Sequence, residues 1–555
     1  MDTVKLSELL FPHIHKLPAD VEAEFPARNL PEGAKVTRLA PSPTGFMHFG
    51  TLFPALVNER LAHQSGGVFF LRIEDTDAKR EVKGAEKDLI DTLAYYHIFF
   101  DEGAVMGGDN GAYGPYRQSH RAEIYQTFAK QLVLEGKAYP CFTTDEELEA
   151  LSQVDKKAEI KNKDWHADTS EQKEEMLKLR DITLEEVEKH LAAGHAFLIR
   201  LKADGDPAKK TPFTDLIKGK LEVPENDEDF VLLKSDGIPT YHFAHAVDDH
   251  LMGTTHVIRG EEWLPSLAKH IMLFRYLGFK MPKYMHIAQL MKMEGNSKKK
   301  LSKRDNGAAL SDYRVTGYAP ESVIEYVMTL LNSNYEDWRR MNPTLPYSDF
   351  PFSIKKMSTS GALFDFDKLN DVSKNTVASM SAKTVYDYTV DWAKSYDPEF
   401  AEIFGRDEAY STRILSIGRG GKKPRKDITV WGDVKPYVSL FFDEYFAVTD
   451  TYPENFDKSD VKAALVTFRD AYDPSVDNNT WFEGLKVIAE GLGFAPEVKV
   501  YKADPEAYKG HVGDISTFLR IAVSGKTTSP DLYEIMQIIG YDRVIARLNA
   551  QIATL

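Results

Sequence analysis

The sequence predicts an α/β protein built on a Rossmann-like, doubly wound parallel sheet, with an inserted α+β module and a C-terminal all-α region. Three observations predict this fold class. Residues 35–73 alternate between apolar, strand-like and helical segments, residues 121–195 are highly charged and mostly helical, and residues from about 315 onward show amphipathic helical spacing. Alternating strands and helices are typical of a parallel sheet covered by helices.

The first elements define a βαβ unit. Residues 1–34 are predicted as a helical lead-in, and residues 35–40 (KVTRLA) as a short buried strand. Apolar residues then recur at helical spacing, at Leu52, Phe53, Leu56, Val57 and Leu61. Residues 68–73 (VFFLRI) are rich in β-forming side chains and predict a second core strand.

Four segments indicate the later elements. Residues 144–147 (TDEE) have the capping-box pattern of a helix start. Residues 196–201 (AFLIRL) are hairpin-like, and residues 236–240 (DGIPT) predict a turn after which the sheet resumes. Residues 529–540 (SPDLYEIMQIIG) predict a helix capped by Ser529, with proline in its first turn and glycine after its end.

Composition narrows the class of protein. The 555 residues are too many for one hydrophobic core, so several packed units are expected. The sequence has no run of 18 apolar residues and no secretion signal, which predicts a cytoplasmic protein without membrane attachment. Its one cysteine, Cys141, excludes an intramolecular disulfide and any zinc site built from several thiolates.

The charge of the chain bears on its partners. A net charge of −16 works against a protein that coats nucleic acid non-specifically, because its field repels phosphate. Two local basic patches, residues 298–304 (KKKLSKR) and residues 419–426 (RGGKKPRK), would still allow selective contact with a large RNA.

The strongest candidate site is the loop between the first strand and the first helix of the sheet. Ligands of doubly wound sheets bind beyond the carboxyl ends of strands, where helix N-termini favour phosphate. Residues 41–50 (PSPTGFMHFG) occupy this position, and His48 offers a hydrogen-bond donor to a phosphate. A lone loop histidine is more often structural, and a basic run such as residues 300–304 (KLSKR) is more often a solvated face. Their joint occurrence favours a functional interpretation.

These two motifs carry a family resemblance. Residues 48–51 (HFGT) resemble the HIGH signature, and residues 300–304 resemble the KMSKS signature, of class I aminoacyl-tRNA synthetases. Further blocks are similar to the glutamyl-tRNA synthetase family of bacterial type: 38–45 (RLAPSPTG), 71–77 (LRIEDTD), 116–119 (YRQS), 239–244 (PTYHFA), 247–252 (VDDHLM), 257–263 (VIRGEEW) and 519–530 (LRIAVSGKTTSP). The blocks cover most of residues 35–310 and one stretch near the C-terminus.

The resemblance implies an activity. Members ligate L-glutamate to the 3′-terminal adenosine of tRNA(Glu) in two steps, forming glutamyl-adenylate from ATP with release of pyrophosphate and then transferring the acyl group. It implies ATP as a substrate with Mg²⁺, no zinc, no membrane partner and a monomeric chain. Whether tRNA(Gln) is also a partner is left open by the sequence.

The resemblance also implies site residues. His48 and Lys303 are the expected catalytic residues, because AMP transfer develops negative charge on pyrophosphate and needs positive charge there. The expected ATP-binding residues are Thr44, His48, Gly50, Thr51, Glu262, Trp263, Lys300, Ser302 and Lys303. The expected glutamate-binding residues are Arg38, Ser42, Glu74, Tyr241, His245 and Arg259. Two arginines and one carboxylate match a substrate with two carboxylates and one ammonium group.

The expected domains follow the same order along the chain. They are residues 1–120, an N-terminal extension and the first half of the catalytic domain; 121–235, an inserted module for the acceptor stem; 236–280, the second half of the catalytic domain; 281–355, a stem-contact region with the KMSKS-like loop; and 356–555, a helical anticodon-binding region of two subdomains.

Alternatives stay open where the sequence departs from the family. His245 stands where the family usually has asparagine, which bears on discrimination against glutamine. The competing functions are a non-discriminating enzyme that also charges tRNA(Gln), a glutaminyl enzyme, an enzyme that glutamylates a modified tRNA base, and a catalytically inactive tRNA-binding paralogue. Retention of His48, Glu74, Arg259 and Lys303 together argues against the inactive paralogue.

Overall fold

The computed structural model describes residues 2–77, 79–143, 177–301 and 309–555. The chain divides into two compact units. We call residues 1–312 together with 327–365 the N-terminal unit, and residues 313–326 together with 366–555 the C-terminal unit. In the part of the chain that is described, no helix is long and apolar enough to cross a membrane.

The N-terminal unit opens with the predicted βαβ arrangement. Its first elements are α1 (Thr3–Leu10), α2 (Pro18–Glu24), β1 (Val36–Leu39), α3 (Phe49–Gln64), β2 (Val68–Leu71), α4 (Ala85–Tyr95), β3 (Glu102–Val105) and β4 (Gly108–Asn110). Strands β1, β2 and β3 are parallel neighbours, and β4 returns antiparallel to β3. The helical lead-in, the first strand, the first helix and the second strand are therefore confirmed.

The close spacing of β2 and β3 requires a glycine. Gly103 has a φ of +132°, and a Cβ atom at that position would lie 2.4 Å from the carbonyl oxygen of Leu71. Only glycine fits such a contact with backbone atoms.

The next segment contains two small antiparallel sheets. Its elements are α5 (Ala122–Leu134), β5 (Ala138–Cys141), α6 (Leu184–Ala192), β6 (Leu198–Leu201), β7 (Lys210–Asp215), β8 (Gly219–Pro224) and β9 (Phe230–Leu233). Strand β6 pairs with both β5 and β9, and β7 pairs with β8. The expected helix start at 144–147 lies outside the described residues.

The hairpin prediction for residues 196–201 is wrong. Leu198–Leu201 form the central strand of a three-stranded sheet, and the local hairpin is β7–β8. The physical reason is the turn chemistry: Asp215 accepts hydrogen bonds from the amides of Ile217 and Lys218, and Gly219 takes a φ of +80°. Residues 196–201 have an apolar pattern that fits a central strand equally well.

The sheet of the N-terminal unit then resumes. Its elements are α7 (Tyr241–Leu251), β10 (His256–Gly260), α8 (Leu267–Leu277), β11 (Lys283–Ile287), β12 (Leu290–Glu294), β13 (Ser297–Lys300), α11 (Tyr335–Met341) and β14 (Ala362–Leu363). The two helices before α11, α9 (Leu310–Thr316) and α10 (Pro320–Leu331), have most of their residues in the 313–326 part of the C-terminal unit. Strands β10 and β11 are parallel. The amide of Thr255 donates to the carbonyl of Val36 over 3.0 Å, which sets β10 beside β1. The parallel sheet is confirmed.

The C-terminal unit is helical. It contains α12 (Phe366–Ser379), α13 (Ala382–Tyr396), α14 (Pro398–Gly405), α15 (Glu408–Ser416), α16 (Val434–Val438), α17 (Lys458–Ala471), α18 (Asn478–Gly491), α19 (Val498–Ala503), α20 (Val512–Ser524), α21 (Leu532–Ile539) and α22 (Tyr541–Thr554). Its apolar core includes the fully buried side chains of Phe441, Phe518 and Val544. The all-α prediction for this region is confirmed.

One cap in this unit differs from the prediction. The helix expected over 529–540 begins at Leu532, and Asp531, not Ser529, accepts the hydrogen bond from the amide of Glu534. The side chain of Ser529 instead accepts from Arg520. A carboxylate near a helix N-terminus also interacts favourably with the helix dipole, which a serine hydroxyl cannot match. Gly540 ends the helix as expected.

Candidate active site

A cavity of about 1170 Å³ lies beyond the carboxyl ends of the parallel strands. The loop after β1, Glu74 after β2 and Glu262 after β10 all contribute to its wall, as expected for a doubly wound sheet. Most of the sequence-predicted residues line it, namely Arg38, Ser42, Thr44, His48, Gly50, Thr51, Glu74, Tyr241, Arg259, Glu262, Trp263 and Lys300. The fold thus brings together residues that are more than 200 positions apart along the chain.

The other three predicted residues are Ser302, Lys303 and His245. Ser302 and Lys303 lie outside the described residues. His245 is described, but it does not line the cavity. Its ring is fully buried and roughly parallel to that of Tyr241, with the centroids 5.8 Å apart, and its Nε2 is hydrogen-bonded to the Tyr284 hydroxyl over 2.8 Å. His245 therefore supports the wall from behind and is not placed to contact a ligand in the cavity.

One end of the cavity, formed by Arg38, Glu74, Tyr241 and Arg259, is here called the buried end. Arg38 on β1 donates through Nε to Asp249, at 3.0 Å and 3.2 Å from the two carboxylate oxygens. Arg72 donates to Asp249 over 2.8 Å and to Glu74 over 3.0 Å. Asp249 therefore holds both guanidinium groups, and Arg72 in turn fixes Glu74.

The charges at the buried end stabilise one another. Burial opposes ionisation of Asp249, but Arg38 and Arg72 outweigh it and hold the pKa of that carboxyl well below its usual range. Burial raises the pKa of Glu74, and the same two arginines oppose this shift. Removing Asp249 would leave Arg38 buried without its carboxylate partner and would leave Arg72 with Glu74 as its hydrogen-bonded carboxylate.

Asp248 anchors a second group of buried side chains next to the first. Its carboxylate accepts from Gln118, Arg121 and Tyr125, each over 2.8 Å. Asp248 and Asp249 are adjacent on α7, so the two carboxylates tie this helix to β1, β2 and α5. Such buried hydrogen-bond networks fix side-chain positions.

Arg259, at the end of β10, is held by uncharged groups. Its Nε donates to His286 Nε2 over 2.9 Å, and its Nη1 lies 3.1 Å from His270 Nδ1 and 3.4 Å from the Tyr241 hydroxyl. Its Nη2 donates to the carbonyl of Trp263 over 3.4 Å. Both imidazoles must accept here, because a guanidinium group can only donate.

The histidines around Arg259 are neutral. Burial lowers the pKa of His242 to about 4 and that of His245 to about 3, and burial also holds the pKa of His270 well below its usual value. With His270 Nδ1 accepting from Arg259, its Nε2 is protonated and donates to His242 Nδ1 over 3.0 Å. The cluster therefore adds hydrogen bonds at the buried end without adding charge.

The other end of the cavity, with His48, Gly50, Glu262 and Lys300, is here called the open end. His48 is the N-cap of α3, and its Nε2 lies 3.5 Å from the Thr51 hydroxyl. Gly50, Glu262 and Lys300 are exposed, and Gln289 donates to Glu262 over 3.3 Å. A helix start next to a histidine and a lysine suits a polyphosphate.

An aromatic pair lines the cavity. The rings of Tyr241 and Trp263 lie with their centroids 4.4 Å apart and tilted by 35°, and Trp263 is 36% exposed. A partly exposed indole beside the cavity offers a surface on which a base or ribose can pack.

Sequence reasoning missed the residues that hold the binding side chains. Arg72, Asp248 and Asp249 lie inside the family-like blocks at 71–77 and 247–252, and that location was the available signal. Asp215 and His286 lie in segments to which the sequence assigned no chemistry.

The parallel sheet, the cavity at its carboxyl edge and the HIGH-like helix start define a class I aminoacyl-tRNA synthetase. In agreement, the family described as tRNA synthetases class I (E and Q), catalytic domain, matches residues 35–371, and the family described as anticodon binding domain matches residues 502–552.

Individual proteins narrow the class further. The chain is 51% identical to a glutamate–tRNA ligase of Acetivibrio thermocellus over 99% of this chain and 100% of that protein. It is 47% identical to a glutamate–tRNA ligase of Clostridium perfringens over 99% of this chain and 100% of the relative. A crystal structure of a glutamate tRNA ligase from Elizabethkingia meningosepticum, in complex with its amino acid, aligns with a TM-score of 0.70 at 29% identity, covering 94% of this chain and 99% of that one. The chain belongs to the glutamate–tRNA ligase family.

Proposed function

We propose that this protein ligates L-glutamate to the 3′-terminal adenosine of tRNA(Glu), with ATP as the energy source. The observation that carries the proposal is the buried end of the cavity, which two buried arginines and one buried glutamate line. Family membership over the whole length of the relatives supports the same activity.

The charges at the buried end match glutamate. Arg38, Arg72 and Arg259 provide three positive charges, and Glu74 and Asp249 provide two negative charges, so the group carries a net charge of +1. Glutamate has two carboxylates and one ammonium group, a net charge of −1. We propose that Arg38 binds the side-chain carboxylate, that Arg259 binds the α-carboxylate, and that Glu74 pairs with the ammonium.

The open end is proposed to bind ATP. Attack of the glutamate α-carboxylate on the α-phosphorus forms glutamyl-adenylate and releases pyrophosphate, so negative charge develops on the leaving group. His48 at the start of α3 and Lys303 in the KMSKS-like loop would stabilise that charge from two sides. Thr44, Gly50, Thr51, Lys300 and Ser302 would contact the phosphates, and Glu262 and Trp263 would lie near the adenosine. Mg²⁺ would enter with ATP, whose phosphates supply ligands.

The second step places tRNA on the rest of the chain. We propose that residues 121–235 hold the acceptor end, that residues 281–355 contact the stem and that residues 356–555 bind the anticodon, with the protein acting as a monomer in the cytoplasm. The match of residues 502–552 to an anticodon binding domain supports the last assignment among these regions. As in the family that the sequence resembles, we expect activation of glutamate to require bound tRNA.

The experiment is a charging assay with purified tRNA(Glu) and tRNA(Gln) side by side, with glutamate or glutamine as the amino acid. Glutamate attached to tRNA(Glu) alone would establish a discriminating ligase. Glutamate attached to both tRNAs would establish a non-discriminating ligase, and glutamine attached to tRNA(Gln) would establish the glutaminyl alternative. No charging of either tRNA would overturn the proposal.

A further inference from the structure

Arg259 differs from the other buried arginines of the site in what holds it. Arg38 and Arg72 are both paired with Asp249, and Arg72 is also paired with Glu74. By contrast, the hydrogen-bond partners of Arg259 within the described ranges are two imidazoles, a phenol and a backbone carbonyl, and none is a carboxylate. Among the described residues, no carboxylate is therefore hydrogen-bonded to the Arg259 guanidinium.

His286 is the closest of these partners, and Asp215 fixes its tautomer. Asp215 Oδ2 accepts from both the backbone amide of His286, over 3.0 Å, and its Nδ1, over 2.7 Å. The proton of the neutral ring therefore sits on Nδ1, and Nε2 presents its lone pair to Arg259 Nε. A ring with its proton on Nε2 would point a donor at a donor.

Asp215 and His286, here called the dyad, are both buried. The side chains of Asp215 and His286 have no exposed surface. Burial outweighs the neighbouring carboxylate and lowers the pKa of His286, so the ring is neutral at physiological pH. Asp215 belongs to the tip of the β7–β8 hairpin, which also docks onto β11 through the hydrogen bond from Leu216 N to Tyr284 O. The β7–β8 hairpin thus fixes Asp215, which orients His286, and His286 in turn contacts Arg259.

We propose that His286, oriented by Asp215, is a positioning residue that holds Arg259 through an uncharged acceptor and so keeps its full positive charge for a carboxylate of the substrate. This inference rests on the proposed function, in which Arg259 binds the α-carboxylate of glutamate. A carboxylate in place of His286 would hold Arg259 equally well but would compete with the substrate for its charge.

Three substitutions of His286 separate its role as a hydrogen-bond acceptor for Arg259 from its effect on the charge beside Arg259. His286→Gln places an amide oxygen near the position of Nε2 and keeps an uncharged acceptor for Arg259. His286→Asn places its amide near Nδ1, which retains the donor to Asp215 and removes the acceptor. His286→Glu is isosteric with His286→Gln but places a negative charge beside Arg259. Aminoacylation of tRNA(Glu) by the full chain gives kcat and the KM values for glutamate and ATP, and thermal melting checks folding.

We expect His286→Gln to keep the glutamate KM within about threefold of the parent protein. His286→Asn should raise the glutamate KM about tenfold or more, because a hydrogen bond to a charged group is lost. His286→Glu should raise it at least as much, and the ATP KM should change less than twofold in all three. Equal glutamate KM values in the glutamine, asparagine and glutamate variants would overturn the inference, and so would parallel increases in the ATP KM.

A second comparison tests the role of Asp215. In Asp215→Asn, an amide oxygen that stays on the turn amides of Ile217 and Lys218 leaves the amide nitrogen facing His286 Nδ1. A donor facing Nδ1 drives the ring to the other tautomer, and the glutamate KM should then rise. In the His286→Gln background no tautomer remains to be reversed, and Asp215→Asn should then add less than a twofold change. If the two substitutions instead raise the glutamate KM by independent factors that multiply in the double variant, Asp215 does not act through His286.

Arg259→Lys distinguishes failure of this inference from failure of the proposed function. It should raise the glutamate KM more than the ATP KM. If it does so while the three His286 variants stay alike, the dyad is wrong and the role of Arg259 stands. If Arg259→Lys leaves the glutamate KM unchanged, both the role of Arg259 and the inference are wrong.

Discussion

The buried end of the cavity is built from side chains that other side chains hold, whereas the open end is built from loops and a helix start. Arg38, Glu74 and Arg259 are 4%, 7% and 6% exposed, and each is hydrogen-bonded to groups behind it. Gly50 and Lys300 are exposed. The amino acid would therefore meet a preformed, buried pocket, while the nucleotide would meet a more exposed surface.

The two ends of the cavity should therefore contribute differently to folding stability and to catalysis. Preorganised charge at the buried end is held in place by the fold, so substitutions there should change folding stability and glutamate affinity together. The open end carries little of the fold, so substitutions there should change the rate of activation and leave stability intact. Substitutions at the two ends should therefore separate changes in folding stability from changes in the rate of activation.

Asp249→Asn should lower the free energy of unfolding by about 3–5 kcal/mol, because it leaves Arg38 and Arg72 buried with a lost counter-charge. Urea unfolding followed by circular dichroism at pH 7 measures this. The matched control is Asp91→Asn, which breaks an exposed ion pair with Lys87 on α4 and should change stability by about 1 kcal/mol or less. Equal effects of the two substitutions would break the comparison.

Lys303→Ala should slow glutamate activation by at least about 100-fold, the typical value of one contact to developing charge in a transition state. Stability should be unchanged, in contrast to Asp249→Asn. Lys299→Ala, in the neighbouring strand β13, is the control and should stay within about twofold. Pyrophosphate exchange in the presence of tRNA measures both rates. An unchanged rate for Lys303→Ala would remove it from the catalytic residues.

The neutral histidines make stability fall with acid. The buried, neutral His245 has a pKa of about 3, below the roughly 6.5 of an unfolded histidine, so the unfolded state binds a proton first. Its contribution is present above pH 6.5 and is lost as pH falls. Between pH 7 and pH 5 this should remove about 2 kcal/mol of stability. His245→Asn should show a shallower pH dependence over the same range, and an identical slope would contradict a neutral His245.

The smallest expected effect concerns specificity. His245 stands where the family usually has asparagine, yet its ring lies behind Tyr241 and away from the cavity wall. His245→Asn should therefore change the ratio of kcat/KM for glutamate over glutamine by less than about threefold. Competitive charging with the two amino acids measures the ratio. A change of tenfold or more would mean that residue 245 reads the substrate side chain directly.

The sequence predicted the residues that line the cavity better than the residues that hold those side chains in place. Residues such as Arg38, His48 and Glu74 sit in short motifs at the ends of strands, so local patterns locate them. Their supports are long-range: Asp249 is 211 positions from Arg38, and Asp215 is 71 positions from His286. Only the folded sheet determines those pairs.

The ends of helices and the pairing of strands also depend on long-range contacts that local sequence patterns do not show. The strand–helix order of the first 73 residues followed from hydrophobic spacing, because period and length distinguish strand from helix there. The cap of α21 did not follow, because Ser529 and Asp531 are both good N-cap residues and tertiary contacts with Arg520 decide between them. The partners of β6 likewise lie in distant strands that no local pattern identifies.

The most direct test of a preformed amino-acid pocket beside an incomplete nucleotide end is glutamate-dependent pyrophosphate exchange, measured with and without tRNA(Glu) at saturating glutamate and ATP. We predict exchange with tRNA and less than about one hundredth of that rate without it, because bound tRNA is expected to complete the exposed open end. Comparable exchange without tRNA would contradict this and would show that the open end is already complete in the free protein.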